Sequence, residues 1–333
     1  MRIVTNILIF IAVLTTALPF VRTTHWWIRI FDYPRAQIAV VAIIALLLTI
    51  YEYRKEPFRM AGISLFLLAA IIYQSSLIIK YTPLYPINSP GSFEPKAENT
   101  FTILMYNVRI GNDEYEKFKT LVLQIDPDII LLTEPDNSWA VEVSSLEEDY
   151  PYYLSHPLEN SYGMILYSRL ELAGTEINFL VKGDIPSMYA QVKLESGVLI
   201  NLHALHPEPP KPGSPTYDRD TEILLVGQRI VHERGPSVVA GDLNDVAWSS
   251  TSALFQKSAD MLDPREGRGM FNTYNVNIPL FRYPLDHFFY TYDFNLVELR
   301  RLEDIGSDHY PIMMTLEYVP KEQMVEKNVD LIE

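Results

Sequence analysis

Hydrophobic residues follow two different patterns along the chain, and the first pattern fills the amino-terminal part. Three uncharged, apolar runs lie between Arg2 and Arg22, between Arg35 and Glu52, and between Arg59 and Lys80. At about 1.5 Å per residue, runs of this length cross most of a hydrocarbon layer roughly 30 Å thick. We therefore expect about three transmembrane helices in residues 1–80, with the lipid bilayer as their partner.

The alternative for this region is a cleaved signal peptide followed by two core helices. No small-x-small cleavage site ends the first run, and three apolar runs in so short a stretch are not typical of a soluble protein. Lys and Arg residues are balanced between the two sides, so they do not fix the orientation. A short amino-terminal stub favours a cytoplasmic amino terminus, and three spans then place the remaining chain outside the cytoplasm.

The second pattern begins after Lys80. Residues 81–99 are rich in Pro, Ser and Asn and lack a helical period, which predicts an extended linker off the membrane. Residues 100–319 contain repeated apolar runs of strand length, interrupted by YEKFKTLVLQI and RDTEILLVGQRIVHER, which have helical spacing. This alternation predicts an α/β domain. Residues 320–333 are polar and predict a frayed tail, with a short closing helix as the alternative.

Charge and composition narrow the possible chemistry. Residues 1–80 contain eight basic and three acidic residues, whereas the remainder contains 19 basic and 39 acidic residues. The acidic part does not attract a polyanion through its overall field, so long nucleic acid requires a local basic strip or bound cations. The chain has no cysteine, which excludes disulfides, thiolate zinc sites, iron–sulfur clusters and cysteine nucleophiles. Any metal must bind oxygen or imidazole ligands.

Several polar residues follow apolar strands, where solvent or a ligand must satisfy them. Asn107 ends TILMYNV, and Glu134 follows DIILLT. Asp242 and Asn244 end the run SVVAGDLN, and strand alternation predicts that both lie on one face, about 7 Å apart. An Asx turn after the strand is the alternative interpretation.

Histidines and acids near the end of the chain indicate general acid–base chemistry. Asp308 and His309 precede the last strand, and Asp286 lies on the strand before it, where it can orient the histidine. The run VLINLHALH offers His203 and His206, which point to opposite faces of a strand, so only one can face a site. The position at the strand end favours His206.

Taken in order, these residues and short motifs resemble the endonuclease/exonuclease/phosphatase superfamily, in a membrane-anchored bacterial form. The resemblance rests on Asn107, Glu134, SYGMILYSR, His206, GDLN at 241–244, LDH at 285–287 and SDHYP at 307–311. This superfamily includes DNase I-like and exonuclease III-like nucleases, inositol polyphosphate phosphatases and neutral sphingomyelinases. The resemblance covers residues 101–319 and implies a four-layer α/β sandwich of the DNase I type, here preceded by the helical membrane segment.

The resemblance also implies a metal and a nucleophile. Superfamily members cleave phosphoester bonds with Mg²⁺ or Mn²⁺. By position, Glu134 would hold the metal with help from Asn107 and Asp308, while Asp242 would orient or deprotonate the attacking water. A hard cation prefers such carboxylate and amide oxygens.

The remaining roles concern the phosphate. By the same resemblance, Asn244 would hold the phosphate, and His309 would donate a hydrogen bond to the charge developing on it. Asp286 would fix the ring of His309, and His206 would face the phosphate or the leaving group. His287 has no role in this scheme and is expected to be structural or exposed.

Arginines near these motifs leave two interpretations open. Arg109 either contacts the substrate phosphate or forms a surface ion pair. Arg219 is expected to be solvated. Three arginines between Met261 and the next strand either contact a phosphate or pair with acids: Arg265, Arg268 and Arg282.

The sequence thus predicts a membrane-anchored, divalent-metal-dependent phosphoesterase acting on phosphodiester bonds. The substrate is either nucleic acid or a phospholipid headgroup, and no protein partner is indicated. We expect an integral, multi-pass protein of a bacterial inner membrane or plasma membrane, with the catalytic domain outside the cytoplasm. The alternative is a non-catalytic, membrane-bound scaffold or binding protein that retains the fold.

Overall fold

A computed structural model describes residues 1–319, and the tail predicted for residues 320–333 lies outside the described residues. The chain divides into two compact units. The first comprises residues 1–86 with two short additional segments, residues 210–217 and 267–269, and the second comprises the remaining residues.

The first unit is helical. Its helices are α1 (Arg2–Ala17), α2 (Trp26–Arg29), α3 (Arg35–Glu52) and α4 (Pro57–Ile78). With their short 3₁₀ extensions, three of them are long and apolar enough to cross a membrane, with mean hydropathies of 2.2, 1.8 and 2.0 over Arg2–Phe20, Arg35–Glu52 and Pro57–Tyr81. The three helices predicted from the apolar runs are therefore confirmed.

Small and polar side chains hold the three long helices together. Ala12, Ala42 and Ala45 are buried where the helices meet and let their backbones approach closely. Gln74 on α4 donates to Thr16 on α1 at 3.0 Å and accepts from Arg35 on α3 at 3.3 Å. The buried polar groups of different helices therefore satisfy one another.

The second unit contains two mixed β-sheets. Its strands are β1 (Thr100–Asn107), β2 (Ile129–Thr133), β3 (Tyr152–His156), β4 (Met164–Ser168), β5 (Leu172–Asn178), β6 (Ser187–Lys193), β7 (Leu199–Leu205), β8 (Ser237–Asp242), β9 (Asp286–Tyr290), β10 (Phe294–Arg301) and β11 (Ile312–Tyr318). One sheet has the order β10-β11-β1-β2-β4-β3, and the other has the order β5-β6-β7-β8-β9. Pairs β1–β2 and β7–β8 are parallel, and the other neighbours are antiparallel.

Helices cover the outer faces of both sheets. They are α5 (Tyr115–Ile125), α6 (Asn137–Glu142), α7 (Tyr217–Glu233) and α8 (Ser250–Ala259). Alternate strand residues, such as Met105 and Leu202, pack between the sheets, while Phe118 and Trp139 cover one outer face and Phe255 the other. The predicted four-layer α/β sandwich is confirmed.

Three strands that the apolar pattern did not predict, β3, β5 and β10, lie at sheet edges. An edge strand buries fewer side chains, so its alternation is weak: β3 has one fully buried residue of five, and β5 has none. Helices α6 and α8 were also not predicted. Both begin at a side-chain cap, Asp136 accepting from Trp139 N and Ser249 accepting from Ser252 N.

The second half of the predicted linker packs on the second unit instead of forming a tether. Gly91 pairs in parallel with Leu296 of β10, and Ser92 N donates to Leu296 O at 2.9 Å. Lys96 N donates to the carboxylate of Glu317 at 3.0 Å. This segment therefore covers the open edge of β10.

Candidate active site at the strand ends

The amide of Asn107 joins the two sheets at the centre of the site. Asn107 is the last residue of β1, and its Nδ2 donates to Glu134 Oε1 at 3.0 Å and to Asp242 Oδ2 at 2.9 Å. Glu134 follows β2 in the same sheet, whereas Asp242 ends β8 in the other sheet. Two acids from different layers are thus held on one amide.

Glu134 is placed by a tight backbone turn. Its φ is 62°, a left-handed conformation that is uncommon for a residue with a side chain. Its amide donates to Gly163 O at 2.9 Å, and a Cβ on Gly163 would lie 2.0 Å from Pro135 O. Only glycine therefore allows the two loops to approach closely enough to set this turn.

Asp242 and Asn244 form an Asx turn. Asp242 Oδ1 accepts from Asn244 N at 2.9 Å, and Asn244 has a φ of 49°. The prediction that both side chains share one strand face is wrong, because β8 ends at Asp242 and the backbone turns there. Asn244 Nδ2 instead donates to Pro207 O at 3.0 Å.

Asp286 and His309 form a hydrogen-bonded pair beside Asp242. Asp286 lies directly opposite Asp242 in the β8–β9 ladder. His309 Nδ1 contacts Asp286 Oδ2 at 2.7 Å, and its Nε2 lies 3.6 Å from Asp242 Oδ2. All three residues are buried, and their ligand atoms lie within 4.8 Å of one another, so this group could also hold a metal ion.

The electrostatics of the trio favour a charged imidazole. Burial raises the pKa of Asp242, and the adjacent Asp286 carboxylate raises it further. Burial by itself lowers the pKa of His309, but the carboxylates of Asp286 and Asp242 outweigh it and raise that pKa overall. The two carboxylates therefore favour the charged form of the His309 imidazole. Its Nε2 lies 3.6 Å from Asp242 Oδ2, beyond hydrogen-bond distance, so this nitrogen can still donate to a ligand.

The turn that carries His309 is tied to β1. Ser307 Oγ donates to Asn107 O at 2.8 Å, and His309 N donates to Ser307 Oγ at 3.1 Å. Asp308, which lies between them, is half-buried, with its carboxylate 3.4 Å from Ser307 Oγ. The serine of the SDH motif, Ser307, therefore positions His309 relative to the end of β1.

Of the two histidines on β7 and its end, His206 lies at the site. Its Nδ1 is 3.2 Å from Asp242 O, and its Nε2 is 3.1 Å from Ser161 O and 3.8 Å from Glu134 Oε1. His203 faces the opposite side of the sheet, where its ring lies 5.0 Å from that of Tyr189. Burial lowers the pKa of His203 to about 3, so it is a neutral core residue.

The segment that carries these residues matches a known protein family. The Endonuclease/Exonuclease/phosphatase family model matches residues 105–309, which is more than half of the chain. The chain belongs to the endonuclease/exonuclease/phosphatase family. Members of this family hydrolyse phosphoester bonds. The matched segment begins within β1 and ends at His309, so it contains every site residue described above.

Solved structures share the fold of the second unit. The zebrafish TDP2 complex with a single-stranded DNA product has a TM-score of 0.55 at 16% identity, covering 66% of this chain and 99% of TDP2. A mannosyl-6-phosphatase from Bacteroides thetaiotaomicron has a TM-score of 0.52 at 17% identity, covering 66% and 100%. The human nocturnin catalytic domain with bound sulfate has a TM-score of 0.55 at 16% identity, covering 68% and 97%. At these identities the likeness concerns the fold.

The donor chemistry of the site fits the divalent cation on which enzymes of this family generally depend. Four carboxylates border it: Glu134, Asp242, Asp286 and Asp308. Among residues 1–319, no Lys or Arg side chain forms an ion pair with any of them, and only histidines lie within ion-pair distance. A hard cation would offset this excess of negative charge.

One expected ligand is arranged differently from the prediction. Asn107 Oδ1 accepts from Arg109 N at 2.9 Å, and its Nδ2 faces the two carboxylates. In this structure the amide therefore acts as a bridge between acids, and its oxygen is already used by the backbone.

The expectation that Arg219 is solvated is wrong. Arg219 is 2% exposed, its Nη1 donates to Asn244 O at 2.7 Å, and the same nitrogen lies 3.4 Å from Asp245. The first turn of α7 packs against the turn after β8, so this arginine supports the backbone of Asn244. No local pattern marks such a residue, because its partner is distant in sequence.

Other arginines resolve the alternatives that the sequence left open. Arg265 is buried, pairs with Asp263 at 2.8 Å and contacts His287 Nδ1 at 2.7 Å, so it pairs with an acid and His287 is structural. Arg109 is exposed, and its guanidinium forms no ion pair or hydrogen bond within the described part of the chain. The surface ion pair considered for Arg109 is thus not present among these residues.

Two aromatic residues of the site were not predicted. The Tyr274 ring lies 4.9 Å from that of His309, and the Tyr162 ring lies 6.1 Å from that of His206. Both tyrosines belong to irregular loops, where single aromatic residues carry no periodic signal. They form walls beside the two histidines.

Proposed function

We propose that this protein is a membrane-anchored, divalent-metal-dependent phosphoesterase that hydrolyses phosphodiester bonds. The observation that carries the proposal is the position of His309, which is bound to Asp286 and faces Asp242 in a family of phosphoester hydrolases. The carboxylates of Asp242 and Asp286 and the imidazole of His309 meet there at the ends of strands.

Asp242 is the proposed base. Its carboxylate is buried, and its pKa is raised to about 6, which is closer to neutral pH and suits a group that accepts a proton. A water molecule beside Asp242 would transfer a proton to the carboxylate as the water oxygen bonds to phosphorus. The bond between phosphorus and the leaving oxygen would then break.

His309 is the proposed stabiliser of the transition state. Asp286 fixes its ring through Nδ1, which leaves the Nε2–H to donate to a phosphoryl oxygen as charge develops there. We further propose that Asn244 binds the same phosphate through its amide and that His206 contacts the phosphate or the leaving group. Arg109, which is exposed and lies two residues after Asn107, would contact the substrate phosphate.

The proposed cation is Mg²⁺ or Mn²⁺. Glu134 would hold it, with help from Asn107 and Asp308, and Asn107 Oδ1 would have to leave Arg109 N to bind it. When bound, such a cation offsets negative charge on the phosphoryl oxygens.

The membrane anchor is proposed from the three apolar helices, which are long enough to span a bilayer. We assign residues 1–80 to the anchor, residues 81–99 to the connection, residues 100–319 to the catalytic domain and residues 320–333 to a tail. We assign the protein to a bacterial inner membrane or plasma membrane. With a cytoplasmic amino terminus, three spans place the catalytic domain outside the cytoplasm.

The test is hydrolysis of bis-p-nitrophenyl phosphate by the full chain in nanodiscs, with Mg²⁺ or Mn²⁺. Asp242→Asn and His309→Ala should each abolish hydrolysis. The matched controls, Asp260→Asn and His232→Ala, change exposed residues that make none of the site contacts described above and should retain hydrolysis. No hydrolysis by the wild-type chain, and no response to either metal, would favour the non-catalytic scaffold.

A further inference from the structure

An exposed apolar loop lies next to the proposed active site. Residues 278–281, Ile-Pro-Leu-Phe, form a short turn that we term the apolar tip. The exposed fractions of Ile278, Leu280 and Phe281 are 49%, 79% and 49%. Single exposed apolar residues are common on protein surfaces, but three within four residues indicate a binding surface.

The apolar tip stands on an ordered base. Phe281 N donates to Ile278 O at 2.9 Å, and the backbones of Tyr274 and Tyr283 pair below it. Arg282 Nη2 donates to Val276 O at 2.8 Å across the base of the loop. These bonds hold the tip in its exposed position.

The base of this loop is connected to the catalytic residues. Val276 N donates to Asp308 O at 2.9 Å, and Tyr310 N donates to Thr273 O at 3.0 Å. The ring of Tyr274 contacts that of His309. A molecule that binds the apolar tip is thus brought close to the proposed catalytic histidine.

Two arginines stack on one tyrosine beside the same loop. The guanidinium carbons of Arg282 and Arg301 lie 5.1 Å and 4.3 Å from the centroid of the Tyr310 ring. Within residues 1–319, neither guanidinium has a carboxylate at ion-pair distance, and both donate to backbone carbonyls instead. In a chain with 42 acidic and 27 basic residues, two such cations at one place favour an anionic ligand.

We propose that the apolar tip docks on a bilayer that contains anionic lipid, and that Arg282 and Arg301 bind the lipid phosphates. The combination of aliphatic and aromatic side chains at a tip with cations behind them is what an interfacial anchor requires. The same chain carries three helices apolar enough to span a membrane. Aliphatic side chains such as Ile278 and Leu280 are poor stacking partners for bases, which argues against a single-stranded nucleic acid here.

Docking of the tip rests on the proposed function and adds the substrate class to it. If the tip docks on a bilayer, the bond presented to His309 is a phosphodiester of a membrane lipid.

The test uses the absence of cysteine from the chain, because a single introduced cysteine can be labelled selectively. Leu280→Cys, labelled with a polarity-sensitive fluorophore, is placed in the full chain in nanodiscs of phosphatidylcholine and phosphatidylglycerol. Lipid carrying a doxyl quencher is supplied either in the nanodisc or in added vesicles of the same composition. The matched control is labelled Val231→Cys, an exposed aliphatic position on α7.

We expect doxyl lipid to quench the label at position 280 by about half or more in at least one arm, with little effect at position 231. Pure phosphatidylcholine should reduce this quenching. Combining Arg282→Gln with Arg301→Gln should reduce it as well, while Arg282→Lys with Arg301→Lys should retain it because the charge remains.

Equal responses at positions 280 and 231 in both arms would overturn the proposal. Quenching that ignores both anionic lipid and the arginines would overturn the assigned role of Arg282 and Arg301. A response of the label to a single-stranded oligonucleotide, with none to lipid, would replace the bilayer with nucleic acid. These readouts need no hydrolysis, so they are independent of the result with bis-p-nitrophenyl phosphate.

Discussion

The amide of Asn107 donates to the carboxylate of Asp242 at 2.9 Å, across the boundary between the two sheets. The same nitrogen donates to Glu134 at 3.0 Å, so one neutral residue separates two acids that would otherwise repel each other. This arrangement makes Asn107 a positioning residue for both carboxylates.

Asn107→Asp should lower stability and abolish hydrolysis, because it replaces a shared donor with a third negative charge. Loss of the buried hydrogen bonds should cost about 1–3 kcal/mol of unfolding free energy before any repulsion is counted. The control is Asn137→Asp, whose amide donates to Glu159 on the surface at 2.8 Å. Thermal unfolding and hydrolysis of bis-p-nitrophenyl phosphate measure both effects, and an Asn107→Asp protein as active as the control would contradict the bridging role.

Asp286→Asn should lower kcat by about 10²–10⁴-fold, the usual contribution of acid–base catalysis, and leave the fold intact. The change keeps the size of the side chain but removes the negative charge that lies 2.7 Å from His309 Nδ1 and stabilises the charged imidazole. Steady-state kinetics should show the loss in kcat more than in KM. Unchanged kcat would mean that the ring of His309 needs no carboxylate.

Gly163→Ala should displace Glu134. The added Cβ would lie 2.0 Å from Pro135 O and 2.8 Å from Leu158 N, both of which are backbone atoms that cannot move aside easily. We expect a loss of about 1–3 kcal/mol in unfolding free energy, as for other overpacked sites, together with reduced hydrolysis. Gly183→Ala is the control, because nothing lies within 4 Å of its Cβ. Similar behaviour of the two variants would refute the packing argument.

Glu222 should make stability depend on pH. Burial raises the pKa of this carboxyl on α7 to about 8, and its Oε1 has no hydrogen-bond partner among the described residues. Between the usual pKa of 4.5 and about 8, the folded state holds a proton on Glu222 that the unfolded state releases, so the contribution of this group to stability is largest at low pH and is lost by about pH 8. Glu222→Gln should flatten this dependence in denaturant titrations between pH 5 and pH 9, while the exposed Glu148→Gln should not.

Mg²⁺ or Mn²⁺ should raise the melting temperature of the full chain. Binding to the folded state alone contributes about 2.7 kcal/mol at a concentration 100 times the Kd. Glu134→Gln should remove this shift, because the carboxylate at the mouth of the site is lost, whereas Glu142→Gln on α6 should keep it. A metal-induced shift that survives Glu134→Gln but not Asp242→Asn would move the cation to the Asp242, Asp286 and His309 group.

Much of the architecture could be predicted from the sequence because central strands bury both faces. β2, β4 and β8 are buried throughout, and their apolar runs stand out between turn residues. The edge strands β3 and β5 leave most of their residues partly or fully exposed, so their composition resembles that of loops.

The site was predictable to the extent that its residues end strands. The structure brings Asn107, Glu134, Asp242, Asp286, His206 and His309 together, as the resemblance implied. The Asx turn at Asn244 was one of two alternatives because its hydrogen bond is local, whereas the burial of Arg219 was not predictable because it depends on a contact between α7 and the turn after β8. Such contacts are fixed by tertiary packing and leave no local period.

The short pairing between Gly91 and Leu296 limits where the second unit can be separated from the apolar helices, because the cut must precede this pairing. A fragment that began at residue 100 would leave β10 with a bare row of backbone donors and acceptors, which recruits strands from other molecules. The separated second unit should therefore stay soluble only if it retains residues 89–96, because this segment prevents self-association through the edge of β10.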